Sequence, residues 1–217
     1  MRLVLMATLA AFWGGAALGQ GICLCPLCAL GLEKSYRQSA EAMAPTIRSG
    51  DCIRAKPGNA AIRAGQIVVF RHPSGQDHIF RVVALAGQRI AVIEGVPVVD
   101  GRAASREARA PLDLAPASAG PVPGCEPGAA SCAVPRFRET LPSGASYDIL
   151  DAGPMSFADN MAETTVPAGF VFVMGDHRDN AMDSRIAPAM GGPGMVAVAD
   201  IAGIVPEIVP GPGQAAP

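Results

Sequence analysis

The spacing of hydrophobic positions changes several times along the chain. From Leu3 to Leu32 no charged residue interrupts the sequence. Its first half, LVLMATLAAFWGGAALG, has about the length of a short membrane helix, roughly 17–25 residues. One N-terminal apolar helix is therefore predicted within residues 1–32. Beyond Lys34 the pattern becomes that of short strands. Asp51–Ala55 alternates ahead of a Pro57-Gly58-Asn59 turn, and Gln66–Phe70 and His78–Leu85 are β-branched runs bounded by Gly or Pro. Arg89–Ile93 and Val96–Val99 flank Glu94-Gly95, a hairpin signal. Between residues 101 and 165 the period fades, and Ala, Pro, Ser and Gly dominate. It returns with Gly169–Met174 and Met195–Val205 before a tail, PGPGQAAP, predicted to be disordered. The pattern predicts a mainly β chain. An antiparallel β domain is assembled from residues 33–100 and 166–206, with a loop-rich insertion over 101–165 and a tail over 207–217.

Composition narrows the class. The chain has 217 residues, 50% hydrophobic and 17% charged, which excludes a disordered polar chain. Its 25 glycines and 20 prolines disfavour a helical bundle. Seventeen basic against nineteen acidic residues give a net charge of −2 with no basic block, so nucleic acid is not an expected partner. Arg2 ahead of the apolar run favours an N-terminus left in the cytoplasm. Two readings of that run stand: a signal peptide cleaved near Ala17-Leu18-Gly19, or a retained anchor extended by ICLCPLCALGL. On either, residues after about 33 lie outside the cytoplasmic membrane.

That compartment is oxidising, so six cysteines permit disulfides. Cys125 and Cys132 enclose EPGAAS and are predicted to be bridged. Cys52, in a strand-like segment, reads as a small buried hydrophobe. Cys23, Cys25 and Cys28 form C-x-C-P-x-C. Thiolates suit a metal or redox site, but no histidine is near and a fourth ligand is missing. The cluster is read as membrane-flanking thiols or lipid attachment, with no metal or cofactor expected.

Three segments carry chemistry: Ala42-Met43-Ala44-Pro45-Thr46 running to Gly50-Asp51, His78-Ile79-Phe80-Arg81-Val82, and Gly175-Asp176-His177-Arg178-Asp179-Asn180-Ala181-Met182-Asp183-Ser184-Arg185. In this order, after one apolar helix, the chain resembles the bacterial type I signal peptidases (leader peptidases). These are membrane-bound serine proteases that remove signal peptides from exported proteins. The third segment matches the family pattern G-D-N-R-D-N-S-x-D-S-R except at His177 and Ala181. The resemblance spans roughly 34–100 and 166–206. It implies a signal-peptidase-type β domain, a membrane as partner, and signal peptides or exported preproteins as ligands.

The family attacks with a serine ahead of the Met of S-M-x-P-T, deprotonated by a neutral lysine ahead of an Arg-Val pair, with a second serine orienting that lysine. Here the three positions are Ala42, Phe80 and Ala181. Alanine has no nucleophilic atom, and phenylalanine accepts no proton. The retained Pro45, Gly50, Asp51, Arg81, Gly175, Asp176, Arg178, Asp183 and Arg185 are assigned to the frame of the fold, and Met43, His78 and Ile79 to a peptide groove. The expected protein is a non-catalytic, peptide-binding or regulatory homologue, with an active signal peptidase as a further partner. The alternative is an active serine endopeptidase with a relocated nucleophile or base. That reading has available Ser39 as nucleophile, with Lys34, Lys56 or one of His72, His78 and His177 as base.

Overall fold

The computed structural model describes residues 23, 25–59, 61–114, 125–126, 131–154 and 157–209. The apolar run before Cys23 and the tail from residue 210 lie outside them. Among the described residues no helix is long and apolar enough to cross a membrane.

Among the described residues one short α-helix, α1 (Pro26–Ala29), precedes fourteen strands. They are β1 (Lys34–Arg37), β2 (Cys52–Pro57), β3 (Ile67–Arg71), β4 (Asp77–Leu85), β5 (Arg89–Ile93), β6 (Val96–Val99) and β7 (Arg102–Ala103). After these come β8 (Ser105–Leu114), β9 (Cys132–Thr140), β10 (Ser146–Leu150), β11 (Met161–Thr165), β12 (Phe170–Met174), β13 (Val196–Ala197) and β14 (Ile201–Val209). The largest sheet has the order β1-β2-β14-β3-β4-β12-β13, and a four-stranded sheet has the order β11-β5-β6-β7. Every ladder is antiparallel. Glu94 and Gly95 join β5 to β6 with φ of 49° and 78°, the left-handed pair that a two-residue hairpin requires.

The runs that lack alternation are buried on both faces. Val171 and Val173 of β12 join Phe80 and Val82 of β4 in a core with Met43, Ile47 and Phe70. Phe172 and Met174 face the opposite way, toward Val83, Ile90, Tyr147 and Ile149. The ladder between the two strands pairs Val173 with Val82 and Met174 with Arg81. It thereby brings Gly175, the residue after β12, beside Phe80.

Two expectations change. Residues 101–165 are not loop-rich throughout: β8, β9 and β10 form a three-stranded sheet in the order β10-β9-β8. Its strands escape an apolar-period reading because β8 is exposed at most positions. Charge marks this ladder instead, with Arg106 opposite Glu139 and Glu107 opposite Arg138. The tail also begins later than residue 207, because β14 runs to Val209 and pairs with β2 there.

Candidate functional site

The first motif folds as a compact turn, in which the Ile47 amide donates to the Met43 carbonyl at 2.8 Å. The third motif docks onto it through the His177 amide, which donates to the Ala42 carbonyl at 3.1 Å. A Cβ placed on Gly175 would lie 2.3 Å from Ala181 Cβ, 2.6 Å from Ala42 O and 3.4 Å from Phe80 Cε1. Ala42, Phe80 and Ala181 thus border a single point, and only glycine fits there. Phe80 is 4% and Ala181 9% exposed, and Ala42 packs against the same core. Phe80 fits because the ring of Phe70 backs it at 6.0 Å between centroids.

Above this apolar floor runs a groove of about 380 Å³. Tyr36 to Ala40 and Ala42 form one wall, Gln76 to Phe80 the other, and Asn180 and Met182 close it. His78 and Ile79 are among its lining residues. Met43, assigned to a groove from the sequence, is instead core at 0% exposure, because the turn after Ala42 carries it beneath the floor. Neither lysine lines the groove. Lys34, 58% exposed, reaches Asp77 at 3.7 Å, and Lys56 is exposed on β2. Ser39 is on the wall, exposed to solvent.

Of the three imidazoles, that of His78 lines the groove. The rings of His72 and His78 stack at 4.2 Å and 12°. Ser74 Oγ sits 2.9 Å from His72 Nδ1. Burial and the neighbouring His72 lower the pKa of His78, with Asp77 opposing them. His177, at 0% exposure, has neither ring nitrogen in a hydrogen bond. Burial drives its pKa down to about 4, against the smaller opposing influence of the Glu41 backbone and Asp151. Among the described residues no group of three or more His, Cys, Asp or Glu side chains is placed to hold a metal ion.

A family model for signal peptidases, peptidase S26, matches residues 15–209. The chain belongs to the signal peptidase family. Signal peptidase I of Bacillus caldolyticus is 23% identical over 167 residues, covering 76% of this chain and 75% of that protein. Signal peptidase I of Rickettsia prowazekii is 29% identical over 130 residues, covering 56% of this chain and 44% of the relative. The chain therefore spans less than half the length of that relative. A solved signal peptidase I from Enterococcus faecalis covers 66% of this chain and 96% of its own, at 21% identity and a TM-score of 0.35.

The signal peptidase motifs carry a continuous charge frame beneath the groove. Arg81 Nε donates to Asp176 Oδ1 at 2.8 Å and Nη2 to Oδ2 at 2.6 Å, while Thr46 Oγ1 donates to the same carboxylate at 2.5 Å. Arg185 grips Asp183 through two bonds of 2.9 Å, and Asp183 also accepts the Gly175 amide at 2.9 Å. Asp51 is buried and accepts the Arg48 amide at 2.7 Å, closing the turn at Gly50. Pro45 follows a cis peptide within the first motif.

Arg178, 1% exposed, is held by Glu139, which Arg106 and the Tyr147 hydroxyl also bind, at 3.1 and 3.0 Å. Burial would raise the Glu139 carboxyl, but Arg178 and Arg106 outweigh it and hold the pKa low. Sequence reasoning missed Glu139, Arg106 and Tyr147. The signal available was indirect: a buried arginine demands an anion, and Glu139 lies in the stretch that looked structureless.

The cysteines correct the sequence reading. Cys125 and Cys132 are bridged as expected, with Cα atoms 5.6 Å apart. Cys52 is not a free hydrophobe, because it pairs with Cys23, and Cys25 pairs with Cys28. Neither free thiols nor lipid attachment fits sulfurs already joined to one another.

Proposed function

We propose that this chain is a signal peptidase I-like protein that binds extended peptides without cleaving them. It would sit on the cytoplasmic membrane with its N-terminus inside and its β domain on the periplasmic or extracellular side. The observation that carries the reading is the ring of Ala42, Phe80 and Ala181 around Gly175, which presents no nucleophile and no base where the family motifs converge. Edge strand β1 leads into the groove wall, and an unpaired strand edge beside a groove suits an extended ligand added by main-chain pairing. Signal peptides of exported preproteins are the fitting ligands, and an active signal peptidase is the partner it would regulate.

The test is incubation of the full chain with a preprotein carrying Ala at −3 and −1, reading cleavage on gels and binding by fluorescence anisotropy of a labelled signal peptide. Binding without cleavage is expected. Absence of binding at the groove, competed by no signal peptide, would refute it. The alternative of a relocated nucleophile has Ser39 on the groove wall in its favour. Cleavage that Ser39→Ala abolishes would establish that alternative instead.

A further inference from the structure

The pair Cys25-Pro26-Leu27-Cys28 is a C-x-x-C unit closed as a disulfide, with Cα atoms 5.1 Å apart. It has little structural work. Its cysteines are separated by 3 positions, against 7 for Cys125–Cys132 and 29 for Cys23–Cys52. In the chain-entropy account a bridge stabilises less the shorter the loop it closes. The four-residue helix α1 that it spans buries no residue. Backbone bonds already hold that turn, from the Cys28 and Ala29 amides to the Cys25 carbonyl at 3.1 and 3.3 Å. Both cysteines are half-buried rather than enclosed.

The surroundings suit exchange chemistry. The Cys28 amide points at Cys25 Sγ from 3.1 Å, an N–H that would stabilise a thiolate on that atom. Glu33, 9% exposed, places Oε2 3.9 Å from the same sulfur. Leu27, Leu30 and Leu32 are 40%, 71% and 61% exposed around the bridge, an apolar patch of the kind that meets unfolded chain.

We propose that the Cys25–Cys28 bridge is a thiol–disulfide exchange site that oxidises cysteine pairs in unfolded, apolar polypeptide. It rests on the disulfide and its neighbours and does not depend on the peptide-groove reading. A client thiol gives its proton to Glu33 and attacks Cys25 Sγ. A client–Cys25 disulfide forms as the Cys25–Cys28 bond breaks, and the electron pair leaves on Cys28, which takes a proton from solvent. The second client thiol, losing its proton to solvent, attacks the client sulfur of this mixed disulfide. The client disulfide forms, and Cys25 departs as a thiolate that recovers the proton held by Glu33. Two electrons and two protons pass from the client pair to Cys25 and Cys28. Oxidised glutathione restores the bridge for a further turnover.

The test uses the full chain in detergent and a reduced synthetic peptide with two cysteines among leucines and valines. One equivalent of peptide disulfide per chain is expected, formed about tenfold or more faster than oxidised glutathione at equal concentration forms it. Cys25→Ser should abolish this reaction. Cys28→Ser, offered the peptide in its disulfide form, should accumulate a mixed disulfide that mass spectrometry places on Cys25. Glu33→Gln should slow the exchange with the peptide while leaving the Cys25–Cys28 bridge formed, and Cys125→Ser with Cys132→Ser should leave the rate unchanged. Graded reduction of the parent protein, with mass mapping of alkylated cysteines, needs no variant to fold and should open Cys25–Cys28 first. A rate no faster than glutathione, a rate that follows another bridge, or another bridge opening first would overturn the proposal.

Discussion

Replacing His177 with asparagine is expected to remove an acid sensitivity built into the core. The imidazole is fully buried with neither nitrogen hydrogen-bonded, so the folded protein keeps it neutral down to a pKa of about 4. In the unfolded chain it takes up a proton near the ordinary imidazole value of 6.5. Between those values the unfolded state binds more protons, and stability falls as pH falls. The contribution is intact above pH 6.5, is lost progressively toward pH 4, and is gone below it. The drop from 6.5 to about 4, at about 1.4 kcal/mol per pH unit, amounts to roughly 3 kcal/mol. The assay is urea unfolding of the parent and His177→Asn at steps from pH 7.5 to 3.5. Glu41 and Asp179, whose carboxyls burial raises, titrate in both proteins and largely cancel in the difference. The gap between the two unfolding free energies should move by roughly 3 kcal/mol across the window, in favour of the variant at low pH. A gap that stays flat within about 0.5 kcal/mol would show that the imidazole is not held neutral by burial.

Three further outcomes follow from the site. Ala42→Ser alone should cleave no preprotein, because no base is supplied, and loss of one member of a serine-based machinery lowers turnover on the order of 10⁶-fold. The combination Ala42→Ser, Phe80→Lys and Ala181→Ser should return measurable cleavage in the same gel assay, and activity from the single variant would refute the assignment of Phe80. Glu139→Gln strands Arg178 at 1% exposure and should cost roughly 3–5 kcal/mol by urea unfolding; a loss below about 1 kcal/mol would show that Arg178 is neutralised elsewhere. Gly175→Ala puts a methyl 2.6 Å from the Ala42 carbonyl and 2.3 Å from Ala181 Cβ, and should cost about 1–3 kcal/mol. Adding Ala181→Gly to Gly175→Ala should recover only part of that loss, since the carbonyl contact remains.

How much was legible in the sequence depended on which force set each element. Arg89–Ile93 and Val96–Val99 were readable to the residue because their turn chemistry and apolar content agree. β8 and β9 were hidden, because a ladder exposed on one side and paired through Arg and Glu leaves no apolar period to detect. Ala42, Phe80 and Ala181 could be named from their motifs, yet the residue that measures their approach, Gly175, signals it only once its neighbours are placed. Met43 shows the limit of motif reasoning, since adjacency to Ala42 in sequence did not decide on which side of the floor its side chain lies. Likewise the partner of Cys52 lay 29 positions away, in a segment whose spacing alone favoured no pairing.

The floor and the frame of this site are energetically separate, because different forces hold the two sets of residues. The frame ties distant parts of the chain together: Arg81 to Asp176 across 95 positions, Thr46 to Asp176 across 130, and Arg178 to Glu139 across 39. Arg81, Asp176, Arg178 and Glu139 are buried charges that loss of a partner would leave stranded, so these residues are held by folding whatever the site does. The floor carries no such obligation. A serine or lysine there would be a buried polar group needing a partner, whereas the alanine methyls and the Phe80 ring need none and extend the core that holds Phe70 and Val68. Folding stability alone therefore requires Arg81, Asp176, Asp183 and Arg185 and is indifferent or favourable to apolar residues at 42, 80 and 181. Retained frame residues consequently argue for the fold and for the shape of the groove above it, and the chemistry has to be argued from the floor alone.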